Sequence, residues 1–227
     1  MRLAVILLGA ALASLGCAER PLATDEADPG AGAPPDEATS ALRPRPIEAP
    51  PGVSVQSITG GGPGCADPGS LAVVIAADGS SFLVIFDDML LQHPPGPPVK
   101  HLNCVANVKI QAPEGWRFSV STVSTRGYAY LSDRHSARIA SKYFFSGSPP
   151  GGMRTSSLSG PYDDTYVFTD EIAPTGWSKC GGDSIFHIHT QLTLNVVHDR
   201  DDAAYLNAET VDGKLEKRLY WRWERCR

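Results

Sequence analysis

The most constraining feature of this sequence is a nearly unbroken alternation of apolar and polar residues in two long segments. LNCVANVKIQA spans residues 102–112 and SIFHIHTQLTLNV spans residues 184–196. Successive side chains of a β-strand point to opposite faces, so a period of two predicts a strand with one buried face. The first segment carries on its apolar face Leu102, Cys104, Ala106, Val108 and Ile110. The second carries Phe186, Ile188, Leu192, Leu194 and Val196.

Further runs rich in Val, Ile, Thr and aromatic residues bring the predicted strands of residues 53–227 to about ten. Clusters of Gly, Pro, Asp and Ser separate them, and no stretch keeps a helical period over three turns. Asp78-Gly79 and Asp212-Gly213 each lie between two runs and predict tight turns, the first with a strong hairpin pattern. We therefore expect an all-β domain, an antiparallel β-sandwich for which a jelly roll is one suitable arrangement.

The aromatic residues divide between core and surface candidates. In the last run Leu219, Trp221 and Trp223 share one face, so we expect the tryptophans in the core rather than on a sugar-stacking platform. Five tyrosines are candidates for a binding face, although we expect most of them to be partly buried sheet residues. They are Tyr128, Tyr130, Tyr143, Tyr162 and Tyr166.

The first residues have the pattern of an export signal. Arg2 precedes an apolar run, residues 3–13, that is too short to span a bilayer and has the length of a signal-peptide core. ASLGC, which ends at Cys17, resembles a bacterial lipobox and implies cleavage before Cys17 and lipidation of its thiol. Ala18 then implies sorting to the outer membrane by the same resemblance. The alternative is an ordinary signal peptide cut nearby.

Residues 17–52 are expected to be a disordered tether that begins at the lipidated Cys17, after a signal peptide of residues 1–16 and before the domain of residues 53–227. Residues 18–52 contain eight prolines and no aromatic residue, so they cannot bury enough apolar surface to order themselves. Such a chain reaches roughly 30 to 35 Å from a membrane surface.

The net charge of −5 comprises −4 from the tether, +1 from Arg2 and −2 from the domain. A domain of this charge has no basic field for nucleic acid, and we expect none as a partner.

The cysteines are expected to form disulfides. Apart from Cys17, an even number remains, which in an exported chain indicates two bonds among Cys65, Cys104, Cys180 and Cys226. Three pairings are open, and we favour Cys65–Cys104 with Cys180–Cys226. The absence of a C-x-x-C pair argues against zinc, and no cysteine is left for thiol catalysis.

His187 and His189 are the candidate metal ligands. They lie two apart in the predicted strand, so both point to the same face, as two ligands on a strand would. The rest of that face is polar, which favours a solvated or hydrogen-bonded pair over a metal site. A metal would need further ligands, and none of His101, His135 and His198 is singled out by its spacing. We expect no cofactor, with a metal ion at this pair as the alternative.

Other catalytic motifs are missing from the sequence. It contains no Gly-x-Ser-x-Gly elbow, phosphate-binding loop or dinucleotide fingerprint. The acidic clusters Asp163-Asp164 and Asp199-x-Asp201-Asp202 are best explained as turn residues, because neither fits a calcium-binding loop. Paired carboxylates for glycoside hydrolysis stay open, since such residues need not be close in sequence.

Several fragments together resemble the family known as domain of unknown function 4360. They are, in order, ITGGGPGC, LNCVANVKIQAPEGW, RGYAYL, KYFFSG, SGPYDDTY, CGGDSIFHIHTQLTL and WRWERC. The resemblance covers nearly all of residues 53–226. It implies an exported, disulfide-bonded, β-rich domain of bacterial or fungal type, and it implies no activity.

The sequence therefore favours a non-catalytic, lipid-anchored module at the cell surface or in the periplasm. Its partners would be the membrane, through Cys17, and a glycan or an envelope protein at one sheet face; a purely structural role is also open. The alternative is a metal-dependent or glycan-active extracytoplasmic enzyme that uses His187 and His189 or paired carboxylates.

Overall fold

The computed structural model describes residues 49–172, 176–207 and 214–226. Residues 1–16, Cys17, most of the tether and the Asp212-Gly213 turn lie outside these ranges. The described residues form twelve β-strands and a single 3-10 turn at Pro63–Cys65. The strands are β1 Ser54–Gly61, β2 Leu71–Ile75, β3 Ser81–Phe86, β4 Leu91–His93, β5 Val99–Ala112, β6 Trp116–Leu131, β7 Ser136–Phe145, β8 Arg154–Ser159, β9 Tyr162–Glu171, β10 Gly182–Asn195, β11 Ala204–Leu206 and β12 Leu215–Arg225. Over these ranges no helix is long and apolar enough to cross a membrane.

The strands form two antiparallel sheets, which confirms the expected all-β fold. The first has the order β1-β5-β10-β7-β8, and the second has the order β2-β3-β12-β6-β11-β4. The strand β9 pairs with the other edge of β6 in the second sheet. Fourteen residues of β10 pair with β5, and ten of them also pair with β7, so β10 is the central strand of the first sheet.

The core lies where the inner faces of the sheets meet, and it follows the alternation seen in the sequence. The even-numbered residues of β5 and β10 are largely buried, whereas the odd-numbered ones are mostly half-buried. Trp221 and Trp223 are 5% and 3% exposed, which confirms their assignment to the core. The Trp221 ring centroid lies 4.4 Å from that of Phe82 and 5.0 Å from that of Phe118, so the cluster joins β3, β6 and β12.

The strands on either side of the two Asp-Gly pairs are arranged differently. At Asp78-Gly79 the strands β2 and β3 form the expected hairpin, with Gly79 at a φ of 67° that favours glycine. Hydrogen bonds from the Ser80 amide and hydroxyl lower the pKa of Asp78. The strands β11 and β12, which flank Asp212-Gly213, pair with β6 rather than with each other. Because β6 is 16 residues long, one of its edges is hydrogen-bonded to β12 along its first part and to β11 near its end.

Two disulfides have the pairing that the sequence favoured. Cys65 and Cys104 join the 3-10 turn to β5, with Cα atoms 5.5 Å apart. Cys180 and Cys226 join the segment before β10 to the residue after β12, with Cα atoms 5.9 Å apart. Because β10 and β12 belong to different sheets, the second bond connects the two layers covalently.

Candidate ligand-binding face

The outer side of the five-stranded sheet carries the two histidines that the sequence singled out. We call this surface the β10 face and define it by the outward side chains of its three central strands. Its polar and aromatic members include Asn103, Asn107 and Lys109 from β5, His187, His189, Gln191, Thr193 and Asn195 from β10, and Arg138, Lys142 and Phe144 from β7. Its aliphatic positions are Val99, Val105, Ala140 and Ile185.

His187 is held between the neighbouring strands. Its Nδ1 lies 2.6 Å from Asn107 Oδ1, so the Nδ1–H donates to the amide oxygen. Its ring stacks on Phe144 with centroids 4.8 Å apart and planes 25° apart. Partial burial lowers the pKa of His187, which favours the neutral ring at physiological pH. The neutral ring then presents Nε2 as an acceptor at the surface.

His189 points to the same side as His187, as the alternation requires. It lies opposite Val105 on β5 and Lys142 on β7. Over the described ranges, no three His, Cys, Asp or Glu side chains come together as a metal site. Two of the other three histidine candidates have partners of their own: His101 Nδ1 lies 3.0 Å from Thr193 Oγ1, and His135 Nε2 donates to the Asp199 carbonyl at 2.7 Å.

The rows that follow along β10 are polar. Gln191 lies between Asn103 and Ala140, and the next outward residue, Thr193, lies between His101 and Arg138. The last is Asn195, which lies between Val99 and Ser136. Apart from the small Ala140 and Val99, these positions present amides, hydroxyls, an imidazole and a guanidinium. From Ile185 to Asn195 the face runs for roughly 33 Å.

A groove of about 320 Å³ lies at the end of the face where β10 begins. Trp177 forms one of its walls, with the Arg117 guanidinium 5.1 Å from the centre of the ring. Lys109 and Asp183, also in its lining, form an ion pair with Nζ and Oδ2 2.7 Å apart. The groove therefore combines an aromatic wall with charged and hydroxyl side chains.

A second groove, of about 240 Å³, lies at the opposite end of the same face. Its lining includes Arg138, Ser157 and Ser159 together with Thr193 and Asn195 of β10. The polar rows of β10 therefore extend from one groove to the other.

Lys217 is a buried titratable residue that no motif of the sequence indicated. It is fully buried between the sheets, where its Nζ donates to Thr125 Oγ1 at 2.8 Å and Ser141 Oγ at 3.0 Å. Burial lowers its pKa to about 7. The signal was available, because Lys217 has the same strand parity as the buried Trp221 and Trp223. A solvent-borne ligand does not reach a fully buried amine, so we assign Lys217 to the core.

The tyrosine candidates separate by sheet face. Tyr143 and Tyr166 are buried in the core, and burial raises the pKa of both hydroxyls. Tyr128 and Tyr130 are half-buried on the outer side of the seven-stranded sheet, and Tyr162 is also half-buried. Most of the five therefore do not form a common binding surface.

The acidic clusters take part in local contacts. Asp163 Oδ1 accepts a hydrogen bond from the Tyr128 hydroxyl at 2.5 Å, and Asp164 Oδ1 accepts from the Thr165 amide at 2.6 Å. Asp199 pairs with Arg134, with Oδ2 and Nη2 3.3 Å apart. Asp163 and Asp164 lie in the strand β9, so the prediction that they are turn residues is wrong for this pair.

The model of a family described as a domain of unknown function, DUF4360, matches residues 51–226. This chain belongs to the DUF4360 family. An uncharacterized secreted protein of Arthroderma benhamiae is 33% identical over 178 residues, which cover 77% of this chain and 72% of the fungal protein. The membership confirms the family resemblance seen in the sequence.

Two solved structures give weaker matches to this DUF4360 protein. One is the carbohydrate-binding module TmCBM61 in complex with β-1,4-galactotriose, with 11% identity, 75% of this chain and 90% of that chain covered, and a TM-score of 0.25. The other is the enzymatically active domain of tailspike protein 4 of bacteriophage CBA120, with 8% identity, 74% and 19% covered, and a TM-score of 0.26. TM-scores this low establish neither a shared fold nor a shared function.

Proposed function

We propose that this DUF4360 domain is an exported, non-catalytic module that binds an extended glycan along the β10 face. The observation that carries the proposal is the continuous polar row on β10 between two grooves at opposite ends of the face. A groove at each end and polar side chains between them suit a ligand longer than a single sugar.

The side chains of the row match the chemistry of sugars. A sugar hydroxyl both donates and accepts hydrogen bonds, and the amides of Asn103, Asn107 and Gln191 do the same. A neutral imidazole such as His187 adds an acceptor. Trp177 and Phe144 add aromatic surface at one end, where the apolar side of a sugar ring can pack.

Export is supported by the chemistry of the cysteines. Disulfides persist in oxidising compartments, and the domain contains two of them. The fungal relative is described as secreted. We further propose that Cys17 is lipidated and that residues 18–52 hold the domain off the outer membrane. A mass measurement of the mature N-terminus would distinguish lipidation at Cys17 from secretion after an ordinary signal cleavage.

The test is a glycan array followed by calorimetry on the exported chain with its disulfides formed. Asn107→Ala and Gln191→Ala remove hydrogen-bonding groups from the β10 face, so we expect each to weaken binding by about five- to tenfold. Thr169→Ala, an exposed β9 residue outside this face, is the control and should leave affinity unchanged. The proposal fails if no glycan is retained, or if the control weakens binding as much as Gln191→Ala.

A further inference from the structure

We infer that the ligand of the β10 face is an acidic glycan whose carboxylates are bound by Arg138 and Lys142. This inference rests on the proposed function, and it adds the chemical class of the ligand.

The first argument is the spacing of the cations. Arg138 and Lys142 lie on β7 opposite Thr193 and His189 of β10. Residues four apart on a strand share a face and are about 13 Å apart. Lys109 on β5 lies opposite Ile185, which is a further four residues along β10. Arg138 and Lys142 therefore lie one step of about 13 Å apart on β7, and Lys109 lies a further step along the face but on the other side of β10. A polymer that carries anions at regular intervals can reach the two cations of β7 together.

The second argument is the shortage of opposing charge on this face. Among the outward strand positions of the described sheet, Asp183 is the only carboxylate, and it pairs with Lys109. Arg138 is exposed, and its Nη2 lies 3.4 Å from Thr155 Oγ1. Neither Arg138 nor Lys142 has an ion pair among the described residues. Two positive charges therefore remain for a ligand.

The third argument is the surroundings of Arg138. A guanidinium presents paired N–H donors that fit the two oxygens of a carboxylate. Arg138 lines the groove of about 240 Å³ together with hydroxyls of Ser157 and Ser159 and the amide of Asn195. This combination suits a sugar ring that carries both hydroxyls and a carboxylate.

A nucleic acid is a poorer match for the same surface. A protein that binds along a phosphate backbone neutralises many phosphates with Lys and Arg, whereas the described part of this face offers two unpaired cations, Arg138 and Lys142.

The experiment compares polygalacturonate with the same polymer after full methyl esterification, which removes the charge and keeps the chain. We expect the exported protein to bind the acid form at least about tenfold more tightly, with the preference falling as salt rises. Arg138→Gln/Lys142→Gln should abolish the preference. Arg126→Gln/Arg218→Gln makes the same change in charge on the outer side of the seven-stranded sheet and should keep the preference. Circular dichroism and thermal melting serve as the control that both double variants are folded.

The outcomes separate the inference from the function on which it rests. Equal binding of acid and ester that is lost in Gln191→Ala would overturn the inference and leave the proposed function standing. Tighter binding of oligothymidylate than of polygalacturonate would overturn it in favour of a nucleic acid. Binding of neither polymer and of no glycan on the array would overturn the proposed function itself.

Discussion

Lys217 Nζ lies 3.0 Å from Ser141 Oγ, so a lysine of one sheet is hydrogen-bonded to a serine of the other inside the core. Tyr143 adds a third hydroxyl, with its oxygen 3.3 Å from Nζ. The three hydrogen bonds satisfy a charged or a neutral amine, but burial disfavours the charged form. The stability of the domain should therefore depend on the protonation of this one group.

Lys217 should make the domain more stable as the pH rises above neutral. Its pKa is about 7 in the folded state and 10.5 in the unfolded chain, so between these values the unfolded state binds the additional proton. The free energy of unfolding then rises with pH by up to roughly 1.4 kcal/mol per unit. We expect a gain of roughly 2 kcal/mol between pH 7.5 and 9.5.

Lys217→Met should remove this gain, because methionine fills the space without titrating. Urea unfolding of both proteins at the two pH values measures the difference. Lys214→Met is the control, since Lys214 is partly exposed and pairs with Asp87 at the surface. Parallel pH profiles for wild type and Lys217→Met would contradict the assignment.

Each disulfide should contribute similarly to stability. The bonds close loops of similar length, with sequence separations of 39 and 46 residues. On the chain-entropy model each is worth about 3 to 4 kcal/mol. We expect Cys65→Ala/Cys104→Ala and Cys180→Ala/Cys226→Ala each to lower the free energy of unfolding by about this amount in a urea titration. A loss below about 1 kcal/mol for either pair would show that the model does not apply to that loop.

Two tryptophans, one in the core and one in a groove wall, should separate effects on stability from effects on binding. Trp221 is packed against Phe82 and Phe118, so Trp221→Ala should destabilise the domain by about 3 to 5 kcal/mol. Trp177 is half-buried in the groove wall, so Trp177→Ala should cost less than about 1.5 kcal/mol and weaken glycan binding instead. Thermal melts and calorimetry on the two variants check both effects. A Trp177→Ala protein with unchanged affinity would exclude this groove from the binding surface.

A buried tyrosine–asparagine contact should also stabilise the fold. The Tyr166 hydroxyl donates to Asn207 Oδ1 at 2.6 Å, and Asn207 Nδ2 donates to the Met89 carbonyl at 2.9 Å. Tyr166→Phe leaves the buried amide oxygen without its donor, which should cost about 1 to 3 kcal/mol in urea unfolding. Tyr162→Phe is the matched control, because Tyr162 is half-buried and its hydroxyl makes a long bond of 3.3 Å to Thr165. Similar losses in the two variants would argue against the buried contact as the cause.

His187 and His189 should not retain a metal. We expect the protein, prepared without chelator or metal-affinity tag, to contain less than stoichiometric zinc, copper or manganese. Elemental analysis of wild type and His187→Ala/His189→Ala tests this. A stoichiometric metal that is lost in the double variant would establish the pair as ligands and favour the enzyme alternative.

The predictable parts of the fold are the strands that have one buried face and one solvent-exposed face. The central strands β5 and β10 have such faces, and their alternation identified the inward residues. Over the described residues twelve strands form where the sequence predicts about ten, and the additional ones are β4 and β8. The strand β4 has three residues, and in β8 only Leu158 is buried. A strand of three residues, or one with a single buried residue, shows no period of two in its sequence.

The site was predictable only along one strand. Strand parity placed His187 and His189 together, but it could not supply Asn107 or Phe144 from the neighbouring strands. Those neighbours depend on the pairing register of strands about 40 and 80 positions away in the chain. Lys217 was assigned to no role because a lysine among apolar residues is more often at the surface.

The bond between Cys180 and Cys226 also determines how the domain carries mechanical load. It closes the intervening segment into a covalent loop that contains β10, β11 and β12. Tension applied to the chain outside this loop crosses directly from one sulfur to the other. The backbone of β10, the strand that carries the polar row, is therefore shielded from that tension, whereas its neighbours β5 and β7 lie outside the loop and bear it.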